Sequence, residues 1–162
     1  MWSVKTIVVG YDGTLAAERA LTRAGELAKA FDANVVVVSV AAPEPAALSG
    51  GAFGLMPYYY YPEPDVTGPR SDEALWKQHR QRVEAFFTEI GVPAEFEGVT
   101  GEPVEEIVDV AEARGADLIV VGTREPGFFE RLLGGSVSQG VARRARCDVL
   151  IVHAPEESPR SS

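Results

Sequence analysis

Short apolar runs alternate along this chain with longer segments whose apolar residues recur at helical spacing. The runs occupy residues 6–9, 35–40, 117–121 and 148–153, and a weaker one, in which Glu95 and Glu97 alternate outward, spans 94–99. Near-continuous apolar runs are typical of parallel strands, because helices cover both faces of the sheet that such strands form. The alternation predicts an α/β fold: a single-domain, doubly wound, five-stranded parallel sheet with helices on both faces and right-handed crossovers.

Helix signals fill the intervals between the runs. Apolar residues recur on one face across 20–31 and again across 71–90, where Gly91 ends the helix. Pro103 suits the first turn of a third helix, and a short fourth helix is predicted over 136–145. Each interval between two strands therefore carries one helix.

The composition is that of a globular domain and disfavours several classes of partner. The chain has 162 residues, of which 46% are hydrophobic, and its formal net charge of −9 disfavours nucleic acid and anionic membrane surfaces. Cys147 is the only cysteine, which indicates a reducing, cytoplasmic setting. No signal peptide is visible, and no apolar run approaches the roughly 20 residues that cross a bilayer.

Residues 42–70 break the alternation. They are rich in proline and glycine and include four consecutive tyrosines at 58–61, which is the composition of an unusually long loop. The tyrosines could fold over a ligand as a lid, or they belong to a mobile loop or a dimer contact. We expect one domain over residues 1–153, with 42–70 as its variable loop and 154–162 as a flexible tail.

Two glycine-containing loops follow apolar strands, and both are candidates for holding a phosphorylated ligand. The first, residues 10–14, reads Gly-Tyr-Asp-Gly-Thr, and the second, residues 122–136, leads into the last helix. Glycine lets backbone approach a ligand, and the first N–H groups of a helix lack internal partners, so they suit an anion. Both loops line one crevice if the first and fourth strands are neighbours.

Each candidate ligand contact also has a purely structural explanation. Ser136 can cap the last helix and present the amides of Val137 and Ser138 to an anion, or it is a plain N-cap. Asp12 can accept a hydrogen bond from an amino or hydroxyl group of a ligand, or it is a turn residue. Val40 can offer a ligand an apolar contact, or it belongs to the sheet core.

The second loop and the helix after it hold further candidates of this kind. Gly134 and Gly135 permit close approach of a ligand, or they form a tight turn without one. Arg124 and Arg131 can reach phosphate oxygens or remain solvated. Ser138 can donate a second hydroxyl, or it is an exposed polar residue of the first turn.

The sequence shows no catalytic constellation. His79, His153 and Cys147 are widely separated, so we expect neither a metal site nor a nucleophile with its base. The glycine-lysine-serine/threonine signature of a P-loop does not follow the first strand. These features favour binding over catalysis.

Four segments together resemble the universal stress protein family. They are residues 8–14 (VVGYDGT), 101–103 (GEP), 116–124 (ADLIVVGTR) and 147–152 (CDVLIV). The resemblance covers residues 4–153 apart from the variable loop. It implies the strand order 3-2-1-4-5, a homodimer formed through strand five, and ATP as a regulatory ligand in stress responses.

The resemblance also implies where the nucleotide lies. ATP-binding members carry the motif Gly-x2-Gly-x9-Gly-Ser/Thr, and Gly122, Gly135 and Ser136 stand at matching positions. Adenine is expected near Asp12 and Val40, with ribose and phosphates along the motif. The implied binding residues are Gly10, Tyr11, Asp12, Val40, Gly122, Thr123, Arg124, Glu125, Gly135, Ser136, Val137 and Ser138.

Glu125 replaces the middle glycine of the motif. A carboxylate about 4 Å from a phosphate charge costs roughly 4 kcal/mol at an effective dielectric of about 20, or about a thousandfold in affinity. Glu125 therefore points away from the phosphates, or recruits a divalent cation such as Mg²⁺ that bridges to them, or blocks ATP. We expect an ATP-binding regulatory protein without efficient catalysis. A nucleotide-free homodimeric interaction module is the alternative, and a slow ATPase is the enzymatic one.

Overall fold

Strands and helices alternate from the first element to the last in the computed structural model, which describes residues 2–41, 71–123 and 137–153. The elements are β1 (Thr6–Gly10), α1 (Leu15–Phe31), β2 (Asn34–Ala41), α2 (Ser71–Ile90), β3 (Ala94–Thr100), α3 (Pro103–Ala113), β4 (Leu118–Thr123), α4 (Val137–Arg144) and β5 (Asp148–His153). All neighbouring strands are parallel, and their order is β3-β2-β1-β4-β5. The predicted fold and strand order are therefore confirmed.

Two helical layers cover the sheet, with α1 and α2 on one face and α3 and α4 on the other. Successive strand residues point to opposite faces. Val9 accordingly packs with residues of α1 and α2, whereas its neighbour Val8 packs with residues of α3 and α4. The central strands are buried on both faces, which explains why the sequence shows them as apolar runs.

Local signals in the sequence set the helix boundaries. Thr14 caps α1, because its side chain accepts a hydrogen bond from the Ala17 amide 3.2 Å away. Glu102 caps α3 in the same way, and Pro103 follows it at a position where no amide hydrogen is needed. Gly91 follows α2 with a φ of +69°, a conformation that glycine adopts without a steric penalty.

Four of the strands, β1 to β4, end one or two residues beyond the predicted apolar runs, whereas β5 coincides with its run. β4 spans Leu118–Thr123 rather than 117–121, because its last residues still pair with β5 where the apolar pattern has ended. Hydrogen bonding along the sheet, rather than side-chain burial, determines this end of the strand. The predicted variable loop at 42–70 and the predicted tail at 154–162 lie outside the described residues.

The two edge strands of the sheet differ in chemistry. On β3, Glu95 and Glu97 lie 2.7 and 3.0 Å from the guanidinium of Arg114. On β5, the apolar residues 149–152 are all partly exposed. Charges along an edge discourage pairing with another chain, whereas an apolar edge permits it. Of the two edges, β5 is the better suited to association.

Candidate functional site

The candidate site lies where β1 and β4 end side by side. The two strands are hydrogen-bonded neighbours, with Val9 opposite Val120. Because the strands run parallel, the loop after Gly10 and the loop after Thr123 leave the same edge of the sheet. The prediction that both loops line one crevice depended on this adjacency, and the adjacency is confirmed.

The first turn of α1 packs tightly against the end of β4. A Cβ atom added to Gly122 would lie 2.5 Å from the carbonyl oxygen of Ala16 and 2.6 Å from its carbonyl carbon. Contacts this short do not occur between packed atoms, so α1 can lie here only if residue 122 has no side chain. Gly10 is less constrained, because its added Cβ would meet a side-chain methyl of Ile107 at 3.0 Å. Gly122 therefore has a packing role in addition to the ligand role that the motif implies.

Asp12 organises the turn between β1 and α1. Its Oδ1 accepts hydrogen bonds from the Thr14 amide at 3.0 Å and from the Thr14 hydroxyl at 2.6 Å. Gly13, between these residues, has a φ of +77°. The structure thus realises the turn-residue alternative for Asp12, while the residue remains exposed beside the N-terminus of α1.

Tyr11 and Val40 are held largely by the protein interior. Tyr11 is 5% exposed, its hydroxyl donates to Glu18 Oε1 at 2.6 Å, and its amide donates to the Val38 carbonyl. The side chain and the amide of Tyr11 are therefore already engaged within the protein. Val40 is half-buried and packs with the cluster on the α3 and α4 face, so the core alternative is realised for it.

Helix α4 presents two different side chains in its first turn. Val137 is 41% exposed, whereas Ser138 is 2% exposed. The alternative that Ser138 is an exposed polar residue is therefore wrong. Ser138 lies one turn before the fully buried Val141, on the face of α4 that packs inward. The candidate residues outside the described residues are Arg124, Glu125, Arg131, Gly134, Gly135 and Ser136.

A buried polar pair close to the Asp12 turn was not predicted from the sequence. Ser39 is 1% exposed and His79 is 7% exposed, and Ser39 Oγ lies 2.8 Å from His79 Nδ1. Ser39 interrupts the valine run of β2, and His79 interrupts the apolar face of α2. Because a buried polar group without a partner is costly, two such interruptions were a usable signal that the residues pair.

A hydrogen bond and an ion pair that share Glu18 link Tyr11 to α1 and α2. Arg82 holds Glu18 through its Nε and Nη2 atoms, at 3.1 and 2.7 Å from the two carboxylate oxygens. Burial raises the pKa of Tyr11 far above its usual value, and the hydrogen bond to Glu18 raises it further. Glu18 in turn raises the pKa of Arg82. The protonation states of Tyr11 and Arg82 are therefore fixed at physiological pH.

The comparison with protein families decides what kind of protein this is. The model described as the universal stress protein family matches residues 3–153. The chain belongs to the universal stress protein family. A universal stress protein of Thermus aquaticus is 37% identical to it over 154 residues, which cover 91% of this chain and 98% of the relative. One of Methanocaldococcus jannaschii is 34% identical over 155 residues, which cover 94% and 84%.

Solved structures of universal stress proteins share the fold described above. A universal stress protein in complex with cAMP matches with a TM-score of 0.65 at 30% identity, covering 95% of this chain and 100% of that one. A universal stress protein family protein from Arabidopsis thaliana with AMP bound gives a TM-score of 0.68 at 19% identity, covering 97% of each chain. At 19% identity the second comparison supports the fold alone.

Within residues 2–41, 71–123 and 137–153 of this universal stress protein, no helix is long and apolar enough to cross a membrane. The same part of the chain brings together no group of three or more histidine, cysteine, aspartate or glutamate side chains that could hold a metal ion.

Proposed function

We propose that this universal stress protein binds an adenine nucleotide, with ATP as the regulatory ligand, in the cytoplasm and without efficient catalysis. The observation that carries the proposal is the contact between α1 and β4, where the Ala16 carbonyl oxygen lies 2.5 Å from the position of a Gly122 Cβ. It brings the Asp12 turn and the N-terminus of α1 next to the strand end from which the motif loop departs. Helix N-termini and glycine-containing loops are suited to phosphate.

The residues around this contact match the parts of an adenine nucleotide. Asp12 is an exposed acceptor for an amino or hydroxyl group, and the partly exposed Val40 offers an apolar contact to the base. Adenine is supported as the base by the cAMP complex of a relative 30% identical to this chain. The residues proposed to receive ribose and phosphates are Gly122, Thr123, Arg124, Glu125, Gly135, Ser136, Val137 and Ser138.

Nucleotide binding is tested directly on the purified protein. Mass spectrometry identifies any nucleotide that it retains, and calorimetry titrates ATP, AMP and cAMP with and without Mg²⁺. We expect an adenine nucleotide to bind and Asp12→Ala to weaken it, whereas Asp109→Ala, which removes an exposed carboxylate on α3, leaves affinity unchanged. No retained nucleotide, together with no heat from any of these ligands at millimolar concentration, would reject the proposal.

Glu125 favours a second candidate, the nucleotide-free interaction module. Replacing Glu125 with glycine restores the middle glycine of the motif and removes the carboxylate that opposes phosphate. If Glu125→Gly binds ATP and the natural chain does not, the carboxylate is the block and the interaction module is the better description. A slow ATPase instead requires phosphate release that falls in Asp12→Ala and Ser136→Ala.

We propose that the protein is a homodimer joined through β5, because this edge carries partly exposed apolar side chains while β3 carries ion pairs. Ile151 on β5 and Val99 on β3 provide a matched pair, since both are partly buried against the cluster on the α3 and α4 face. Light scattering should show that Ile151→Lys is a monomer and Val99→Lys remains a dimer. A natural chain that is monomeric at micromolar concentration would contradict pairing through β5.

A further inference from the structure

A buried imidazole connects helix α2 to the Asp12 turn. His79 Nδ1 lies 2.8 Å from Ser39 Oγ on β2, and the Tyr11 ring meets the imidazole edge-on with the ring centroids 5.0 Å apart. On the other side of the imidazole, a Cβ added to Gly13 would lie 2.9 Å from Nε2. The ring thus fills the space between β2, the end of β1 and the backbone of the turn.

The turn is sensitive to this contact because Gly13 is its middle residue. Gly13 has a φ of +77°, and the hydrogen bonds from Thr14 to Asp12 Oδ1 close the turn around it. Protein interiors are close-packed, so replacing the lone pair on Nε2 with a proton must displace the backbone at Gly13. Asp12, the proposed contact to adenine, is held by the same backbone.

We propose that His79 is a positioning residue of the nucleotide site: the neutral imidazole supports the Asp12 turn in its binding conformation, and protonation withdraws that support, so nucleotide binding weakens in acid. The inference rests on the proposed function, because the ligand whose affinity changes is the adenine nucleotide. We assign the proton of the neutral ring to Nδ1, facing Ser39 Oγ, which leaves the lone pair of Nε2 directed towards the Gly13 methylene. The imidazolium has N–H at both nitrogens, so an N–H replaces that lone pair against the methylene.

The surroundings of His79 favour the neutral ring at neutral pH. Burial lowers the pKa of His79, and the negative charge of Asp12 opposes this lowering without overcoming it. The uncharged Ser39 is the partner that β2 provides. On the same face of the sheet, Glu18 is bonded to both Tyr11 and Arg82. Glu95 and Glu97, with their partner Arg114, lie on the opposite face, where they pair with Val36 and Val38 of the other cluster.

The first test needs no variant and no nucleotide. NMR follows the His79 and His153 imidazoles and the Gly13 and Thr14 amides of the natural chain from about pH 8 to about pH 5. We expect both amides to shift with the titration of His79 and not with that of His153, which is exposed at the end of β5. If the Gly13 and Thr14 amides do not shift as His79 titrates, the inference is wrong. Because this result does not depend on whether ATP binds, it is distinct from failure of the proposed function.

The second test measures Mg-ATP affinity by calorimetry at about pH 7.5 and about pH 5.5. His79→Asn keeps a donor near Ser39 but cannot titrate, and His153→Asn is the matched control in the same buffers, so titration of ATP itself cancels. Below the His79 pKa, we expect the Mg-ATP affinity of the natural chain and of His153→Asn to fall by up to about tenfold per pH unit. The fall is measured relative to His79→Asn in the same buffers. Equal pH dependence in the two variants would contradict the proposal.

Reciprocal linkage gives a third readout on the natural chain alone. If protonation of His79 weakens ATP binding, bound ATP must lower the pKa of His79 by the corresponding amount. A phosphate that merely lies near the ring would have the opposite effect, because an anion favours the imidazolium. We expect the NMR titration of His79 to move to lower pH when Mg-ATP is bound. A move to higher pH would overturn the inference, even if His79→Asn fails to fold.

Discussion

Replacing Gly122 with alanine tests whether the first glycine of the motif is required by the scaffold itself. The added Cβ would lie 2.5 Å from the Ala16 carbonyl oxygen, 2.6 Å from its carbonyl carbon and 2.9 Å from its Cβ. Carbon atoms pack at about 3.5–4.0 Å, so the first turn of α1 must move by about 1 Å. The atoms in the way are mostly backbone, which cannot rotate aside as a side chain does.

The expected cost follows from comparison with Gly10. Overpacking a closely packed site costs about 1–3 kcal/mol, and we expect Gly122→Ala to lose about 2 kcal/mol or more. At Gly10 the added Cβ meets the end of the Ile107 side chain at 3.0 Å and a Val121 methyl at 3.3 Å, which can yield, so Gly10→Ala should lose less than about 1 kcal/mol. Both substitutions restrict the unfolded chain equally, so that contribution cancels in the difference.

Urea denaturation followed by circular dichroism, without nucleotide, measures both variants. We expect the unfolding midpoint of Gly122→Ala to lie clearly below that of Gly10→Ala, with the same dependence on urea for both. Equal midpoints would refute the argument, because they would show that α1 accommodates the methyl group without strain. A dependence on urea that changes in one variant would mean that the unfolded state, rather than packing, had been altered.

Further predictions concern the two ends of β1. Asp117 accepts hydrogen bonds from the amides of Lys5 and Thr6 at 2.8 and 3.0 Å, so Asp117→Asn should lower the unfolding free energy at neutral pH by about 1 kcal/mol in urea denaturation. These bonds hold the pKa of Asp117 below its ordinary value of 3.8. The stabilisation is therefore present above that pH and is lost as the pH falls below it. If the natural chain and the Asp117→Asn variant lost stability equally in acid, the argument would be contradicted. Tyr11→Phe removes the 2.6 Å hydrogen bond to Glu18 and should cost about 1 kcal/mol, whereas an unchanged midpoint would show that water replaces the hydroxyl.

The sheet was predictable from the sequence because strands that are buried on both faces consist almost entirely of apolar residues. Val8 and Val9 face opposite helical layers, so neither position tolerates a polar residue and the strand reads as a continuous run. The weaker run at 94–99 was recognised by its alternating glutamates, and it proved to be an edge strand whose Glu95 and Glu97 bind Arg114. The order of the strands came from the family resemblance, since apolar runs do not record which strand lies next to which.

The site was less predictable because its contacts join residues that are far apart in sequence. The motif identified Gly122, but only the packing of α1 shows that Ala16 leaves no room for a side chain there. Ser138 was expected to be exposed if it had no ligand role, since serine is polar, yet helical spacing places it with Val141 on the inner face of α4. Because the serine side chain is small, it can be buried at this position, and the polarity of Ser138 alone led to the wrong prediction of exposure.

The unequal borders of the sheet bear on how far assembly can proceed. Two copies that join at β5 form one continuous sheet, and both of its outer borders are then β3 strands. Each outer border carries the Glu95–Arg114 and Glu97–Arg114 ion pairs, and such charges along an edge disfavour the addition of a third copy. In the proposed dimer, association would therefore stop at two copies, and the residues that disfavour further growth lie on the border opposite to the one that associates.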